Sequence, residues 1–179
     1  MGSFHFFTET QMPLQTDVCA TLIKDLPKNK NIKTQTSPFR YPGGKSKLTK
    51  FIATLINQEH AKTLISPYTG GGSVEFALLQ AGLIQNLIIN DLDYFVYNVY
   101  YVILNHYDEF IQQLTHVKIN HQVYHWAHNV INHKQTENDR IKQALAMLIN
   151  NRCSYSGIYY AGPIGGKNGN NATIAVRFK

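Results

Sequence analysis

Ser66-Pro67-Tyr68-Thr69-Gly70-Gly71-Gly72 is the stretch on which the fold turns. Before it, residues 62–65 (Lys-Thr-Leu-Ile) form a short, β-branched apolar run that predicts a buried strand. After it, Ser73 is the expected N-cap of a helix carrying Val74, Phe76, Ala77, Leu78 and Leu79, with Gly82 as its stop. Strand, glycine-rich turn and helix in that order is how a doubly wound α/β sheet builds the floor of a nucleotide-type pocket. Glycine lets the backbone approach a ligand with no Cβ in the way. A tight strand-to-helix turn needs glycine with or without a ligand, so both readings stand at this point.

With 179 residues, 44% hydrophobic and 16% charged, the chain is long enough for one core-bearing α/β domain, or one plus an arm. No apolar run reaches transmembrane length, and the first residues lack the basic start and apolar centre of a signal peptide, so a cytoplasmic location and no membrane partner are expected. Cys19 and Cys153 are too few for a disulfide framework or a four-thiolate zinc site. The net charge of +6 is uneven. Residues 24–50 hold Lys24, Lys28, Lys30, Lys33, Arg40, Lys45, Lys47 and Lys50 against Asp25, whereas residues 59–109 hold six acids against Lys62. A basic front end suits a polyanion such as nucleic acid, or is a solvated lysine-rich linker.

Residues 1–36 form an extension interrupted at Pro13 and Pro27, with a hint of helix over 18–26; they are a docking arm or a disordered one. In Phe39-Arg40-Tyr41-Pro42-Gly43-Gly44-Lys45-Ser46, the Pro-Gly pair forces a turn. Ser46 is expected to cap a helix with Leu48, Phe51, Ile52, Leu55 and Ile56 on one face. Gly44-Lys45-Ser46 matches the end of a phosphate loop, but that loop's first glycine would fall at Phe39 and no strand precedes it. What remains is a lysine and free backbone amides at a helix start, suited to a carboxylate or phosphate.

Residues 86–91 predict a second buried strand ending in Asp91. An acid there, about twenty residues past a glycine turn, stands where nucleoside-binding folds hold ribose hydroxyls; capping the next helix is the other reading, open to Asp93 as well. Residues 94–104 continue as a helix or two short ones, and Asp108 is expected to cap another through Phe110, Ile111 and Leu114. His121, His125 and His128 fall at helical spacing, but no carboxylate or Cys completes a metal set, and an exposed amphipathic helix accounts for them. Asn138 or Asp139 begins a helix burying Ile141, Ala144, Leu145, Leu148 and Ile149; residues 173–178 predict a strand. Arg152, Lys167 and Arg177 beside glycine-rich loops are candidates for contacts to a nucleic-acid backbone, or lie on a mobile surface loop.

Taken together, residues 38–179 resemble the N-terminal part of the Dam-like class of S-adenosyl-L-methionine (AdoMet)-dependent DNA adenine-N6 methyltransferases. Phe39-Arg40-Tyr41-Pro42-Gly43-Gly44-Lys45 resembles the family's opening cofactor motif, Pro67-Tyr68-Thr69-Gly70-Gly71-Gly72 its glycine-rich motif and Ile89-Asn90-Asp91 its ribose-binding acid. Asn151-Arg152-Cys153-Ser154-Tyr155-Ser156-Gly157 and Ala161-Gly162-Pro163-Ile164-Gly165-Gly166 resemble a stretch that precedes the catalytic motif. The resemblance implies an α/β, Rossmann-like AdoMet-dependent methyltransferase fold with helical insertions, cofactor-binding over 37–150 and the start of a target-recognition segment over 151–179. It implies that Tyr41, Gly43, Gly44 and Lys45 contact AdoMet, that Tyr68, Gly70 and Gly72 line its pocket, and that Asp91 holds the ribose. Relatives usually carry an acid where Ser66 stands, and that acid helps fix the cofactor's amino-acid end.

Family members do the chemistry with an Asp/Asn/Ser-Pro-Pro-Tyr/Phe motif, which accepts hydrogen bonds from the adenine amine and stacks on the flipped base. No such motif occurs in this sequence, so no catalytic residue is assigned. In the family sheet, the strand bearing that motif lies beside the first strand, here 62–66; without it the sheet is expected to be incomplete, with an edge that a partner chain, self-association or the arm would cover. The expected function is therefore a truncated or split cofactor-binding half of an enzyme acting on double-stranded DNA, inactive alone. The alternative is a non-catalytic DNA- or protein-binding module, a decoy or regulator, built on the same fold.

Overall fold

The structure is a computed structural model and describes residues 32, 37–40, 42–166 and 170–178, with Arg177 as backbone alone. The arm of residues 1–36 (save Ile32), with its expected helix and Cys19, lies outside the described residues, as do Tyr41 and Lys167.

Strands β1 (Thr63–Ser66) and β2 (Asn86–Ile89) pair in parallel, Thr63 opposite Asn86 and Ser66 opposite Ile89. Helices α1 (Thr49–Gln58) and α2 (Ser73–Gln80) cover one face: Ala53, Ile56, Val74, Leu78 and Ile84 form a small apolar cluster onto which Leu64 and Leu87 pack. Strand side chains alternate between faces, so Ile65 and Ile88 point the other way and stay 65% and 55% exposed. Among the described residues β1 has no second neighbour, which leaves that edge unpaired.

The larger core is helical. Helices α3 (Tyr94–Asn105), α4 (Tyr107–His116) and α5 (His121–Ile131) all pack on α6 (Arg140–Cys153), which buries the expected Ile141, Ala144, Leu145, Leu148 and Ile149 together with Ala146 and Met147. Asp139 is the cap of α6, accepting from the Ile141 and Lys142 amides, and Asp93 caps α3 in the same way through Phe95 and Val96. Each such cap is worth about 1 kcal/mol.

Several expected details differ. Gly72, at φ +64°, stands at the cap position of α2, and Ser73 is already its first helical residue. Helix α1 is entered through a 3₁₀ turn, Ser46–Leu48, so Ser46 is inside it rather than a cap. Leu48 and Leu55 are exposed, while Thr49, Ala53, Thr54 and Ile56 go inside. Asp108 lies in the first turn of α4, where it complements the helix dipole; His106 occupies the cap position. The expected strand at 173–178 is a short helix, α7 (Asn171–Ala175), followed by a 3₁₀ turn, Val176–Phe178. Asn170 decides this: its side chain accepts from the backbone N–H and hydroxyl of Thr173, and the turn it starts drives Ile174 fully into the helical core.

Cys153 ends α6 as a free, buried thiol. Burial pushes its pKa up to about 11, with the positive charges of Arg152 and Arg40 opposing, and burial raises the buried Tyr124 phenol as well. An unfolded thiol releases its proton near pH 8.5, so between there and about 11 the unfolded chain binds fewer protons than the folded one, and stability falls as pH rises. Thermal melts from pH 8 to pH 11 should show a declining midpoint, with a shallower decline for Cys153→Ala. Asp93→Ala should cost about 1 kcal/mol in urea unfolding through loss of the α3 cap.

Candidate functional site

The glycine loop is stitched across the ends of both strands. The Asn90 N–H donates to the Ser66 carbonyl at 2.9 Å, and the Thr69 N–H and hydroxyl both donate to the Asn90 carbonyl at 3.0 Å. The Thr69 hydroxyl also lies 3.0 Å from the Ser66 carbonyl. The Gly70 N–H donates to Asp91 Oδ2 at 2.6 Å, and the Asp93 N–H to Asp91 Oδ1 at 2.9 Å. From α3, the Tyr100 hydroxyl donates to the Gly70 carbonyl at 2.7 Å. Gly72 must be glycine on two counts: its φ is positive, and a Cβ there would lie 2.5 Å from the Phe76 ring and 3.0 Å from the Tyr100 hydroxyl.

Above this floor lies a cavity of about 230 Å³. Gly43, Gly44 and Lys45 line it as a rim, Tyr68, Gly70, Gly71 and Gly72 line it from the glycine loop, and Glu75 and Asp91 add two carboxylates. Seven of the residues expected to bind a cofactor (Gly43, Gly44, Lys45, Tyr68, Gly70, Gly72 and Asp91) thus line a single cavity. Tyr41 lies outside the described residues, and so do Lys167 and the Arg177 side chain. Arg152 is half-buried in the last turn of α6 and does not line this cavity. A second, more apolar cavity of about 120 Å³ shares Asp91 and is walled by Tyr97, Tyr100, Tyr101 and Leu104.

Asp91 is not the cap of α3; Asp93 is. Its two oxygens are each taken once, by backbone N–H groups, and a carboxylate oxygen has a second lone pair. It therefore faces the cavity in a fixed orientation, able to accept from hydroxyls. The first turn of α2 begins at the floor, and backbone amides at a helix start are unpaired within the helix and carry the positive end of its dipole.

Sequence reasoning missed Glu75. The Ser66 hydroxyl donates to Glu75 Oε1 at 2.8 Å, so a carboxylate sits beside the strand end where Ser66 replaces an acid. An acid in the first turn after a glycine loop was the available signal. The cavity thus presents a lysine together with two carboxylates, a set complementary to a zwitterion that also carries hydroxyls. Among the described residues no three His, Cys, Asp or Glu side chains gather as a metal site. Of the three spaced histidines, His125 is exposed, but His128 is half-buried, its Nδ1 3.1 Å from Asn150 Oδ1, so an exposed face accounts for them incompletely. No helix among the described residues is long and apolar enough to cross a membrane.

No curated protein matches the chain. The family model of the D12 class N6 adenine-specific DNA methyltransferases matches residues 41–173. That span carries both strands, the glycine loop, Asp91 and all of α3 to α6, the elements that build and support the cavity. The chain belongs to the D12 class N6 adenine-specific DNA methyltransferase family.

Proposed function

We propose that this chain is the AdoMet-binding part of a DNA adenine-N6 methyltransferase with a Rossmann-like sheet, and that the glycine-floored cavity is the cofactor site. The observation that carries this reading is Asp91, locked by the Gly70 and Asp93 amides and lining the same cavity as Lys45. The donor set fits the group: hydroxyl acceptors at Asp91, a cation at Lys45, a carboxylate at Glu75 and a floor of glycine backbone. When bound, AdoMet supplies an electrophilic methyl on a sulfonium. On this reading Asp91 accepts from the ribose hydroxyls, Lys45 holds the carboxylate of the methionine part, and Glu75 takes the ammonium that the missing acid at position 66 would have held. On the same reading Tyr41 contacts AdoMet, and Arg152, Lys167 and Arg177 contact the backbone of double-stranded DNA.

The target amine has its lone pair delocalised into the purine ring, and nothing in this sequence supplies the Asp/Asn/Ser-Pro-Pro-Tyr/Phe motif that would accept from it. The unpaired edge of β1, with Ile65 exposed beside it, supports pairing with a further strand carrying that motif. Residues 1–179 then act as a binding half that needs a strand bearing that motif for the chemistry.

Calorimetric titration of the folded chain should give one-to-one, micromolar AdoMet binding; a folded chain that does not bind overturns the assignment in favour of a non-catalytic module. Lys45 makes no side-chain bond within the described residues, so Lys45→Ala should weaken binding about tenfold or more with an unchanged melting temperature, since hydrogen bonds to charged groups are worth about 1.5–3 kcal/mol. Asp91→Ala should abolish binding and also lower the melting temperature, because it releases the Gly70 loop. Purified alone, the chain should leave adenine in DNA unmethylated, and co-expression with a chain bearing the missing motif should restore methylation.

A further inference from the structure

One side chain holds both backbone polar groups of Arg40, 111 residues away in sequence. The Arg40 N–H donates to Asn151 Oδ1 at 2.8 Å, and Asn151 Nδ2 donates to the Arg40 carbonyl at 3.1 Å and to the Gly157 carbonyl at 3.2 Å. The partners fix the amide orientation, because an N–H needs the oxygen and two carbonyls need the NH₂. Asn151 is completely buried. Gly157 has φ +75°, and a Cβ there would overlap the Arg40 carbonyl oxygen, so the two backbones touch directly. One residue earlier, Phe39 packs edge-on against Tyr100, 5.7 Å between ring centres, and the Tyr100 hydroxyl reaches the Gly70 carbonyl.

Beyond Arg40 the chain leads to Gly43-Gly44-Lys45, the rim of the cavity. Among the described residues, the hydrogen bonding of 42–45 is a local one, the Leu48 N–H to the Lys45 carbonyl at 2.8 Å. Gly43, at φ +77°, has open space around it. On its N-terminal side the rim takes its place from Arg40, and Arg40 from Asn151 and Gly157; on its other side it enters the Ser46–Leu48 turn, which packs on α2.

We propose that Asn151 and Gly157 are positioning residues for the cofactor: they help set Gly43, Gly44 and Lys45 in the cavity that Asp91 and Glu75 also line, and so couple cofactor affinity to the segment 154–162. This rests on the reading of the cavity as the AdoMet site. Coupling is reciprocal, so AdoMet should in turn stiffen that segment, where the Gly157 N–H donates to Ser154 and the Ile158 N–H to Tyr155.

The test is calorimetry with AdoMet and amide hydrogen exchange on the full chain, comparing wild type with Asn151→Ala, Asn151→Asp and a core control, Met147→Ala, all verified as folded by circular dichroism. Asn151→Asp keeps the side-chain size and the acceptor for Arg40 and loses the donor, so it carries the test should Asn151→Ala not fold. Both Asn151 variants should bind AdoMet about tenfold or more weakly, and Met147→Ala should stay within about twofold. Saturating AdoMet should slow exchange at the Gly157 and Ile158 amides in wild type but not in Asn151→Asp. Folded Asn151 variants with wild-type affinity, or wild-type amides indifferent to AdoMet, overturn the proposal. If the wild-type chain fails to bind AdoMet, the cofactor reading falls by itself, and trypsin then decides the clamp. Cleavage after Arg40 that is about tenfold faster in the Asn151 variants than in wild type and Met147→Ala supports it, and equal rates overturn it.

Discussion

The grip on Gly70 is the constraint that the rest of the site depends on. Its N–H is taken by Asp91 and its carbonyl by Tyr100, at 2.6 and 2.7 Å. Because Asp91 also takes the Asp93 N–H, and Asp93 caps the helix that carries Tyr100, the loop, the end of β2 and α3 close into one circuit. The bonds to carboxylates are charge-assisted, the stronger kind. A glycine-rich loop has more conformational freedom to lose than any other backbone. Here that entropy is lost on folding, and a ligand meets a floor already in shape.

The cavity sits between two apolar clusters of unequal weight. The helical one is built around α6, and the other joins α1 and α2 to the inner face of the two strands. Two four-residue strands are too little sheet to stand alone. They are held because Leu64 and Leu87 reach the smaller cluster while Ile89 and Phe76 reach the larger. The face carrying Ile65 and Ile88, and the free edge of β1, have no such cover among the described residues.

Much of this was legible in the sequence because it is written in local signals. The runs Thr-Leu-Ile and Asn-Leu-Ile-Ile, the glycine turn between them, and Asp139 ahead of a helical apolar repeat each act over a few residues, and β1, β2 and α6 fall where those signals put them. The misses have two physical origins. At the helix starts, a left-handed Gly72 and a 3₁₀ entry at Ser46 moved the caps from the residues expected to hold them. At 173–178, β-branched Thr, Ile and Val favoured a strand, and one Asn170 cap with a vacancy in the core for Ile174 outweighed them. Within the site, the glycines, Lys45 and Asp91 were readable as motifs. Glu75 beside Ser66, and Asn151 against Arg40, are pairs that meet in space; an acid in the first turn after the loop hinted at Glu75, but no local spacing announces Asn151.

The distance along the chain between Arg40 and Asn151 bears on how the protein is made. The strand pairing of Thr63 with Asn86 closes a short loop early, whereas the Arg40–Asn151 contact closes one of 111 residues and bears a larger closure entropy. On a ribosome, synthesis runs from the N-terminus at about 5–20 residues per second, so the rim of the pocket emerges first and waits several seconds for its anchor. During that interval the glycine floor can form without a rim. Completion of the cavity is thereby tied to synthesis of α6, and a nascent chain shorter than that has the glycine loop without an anchored rim.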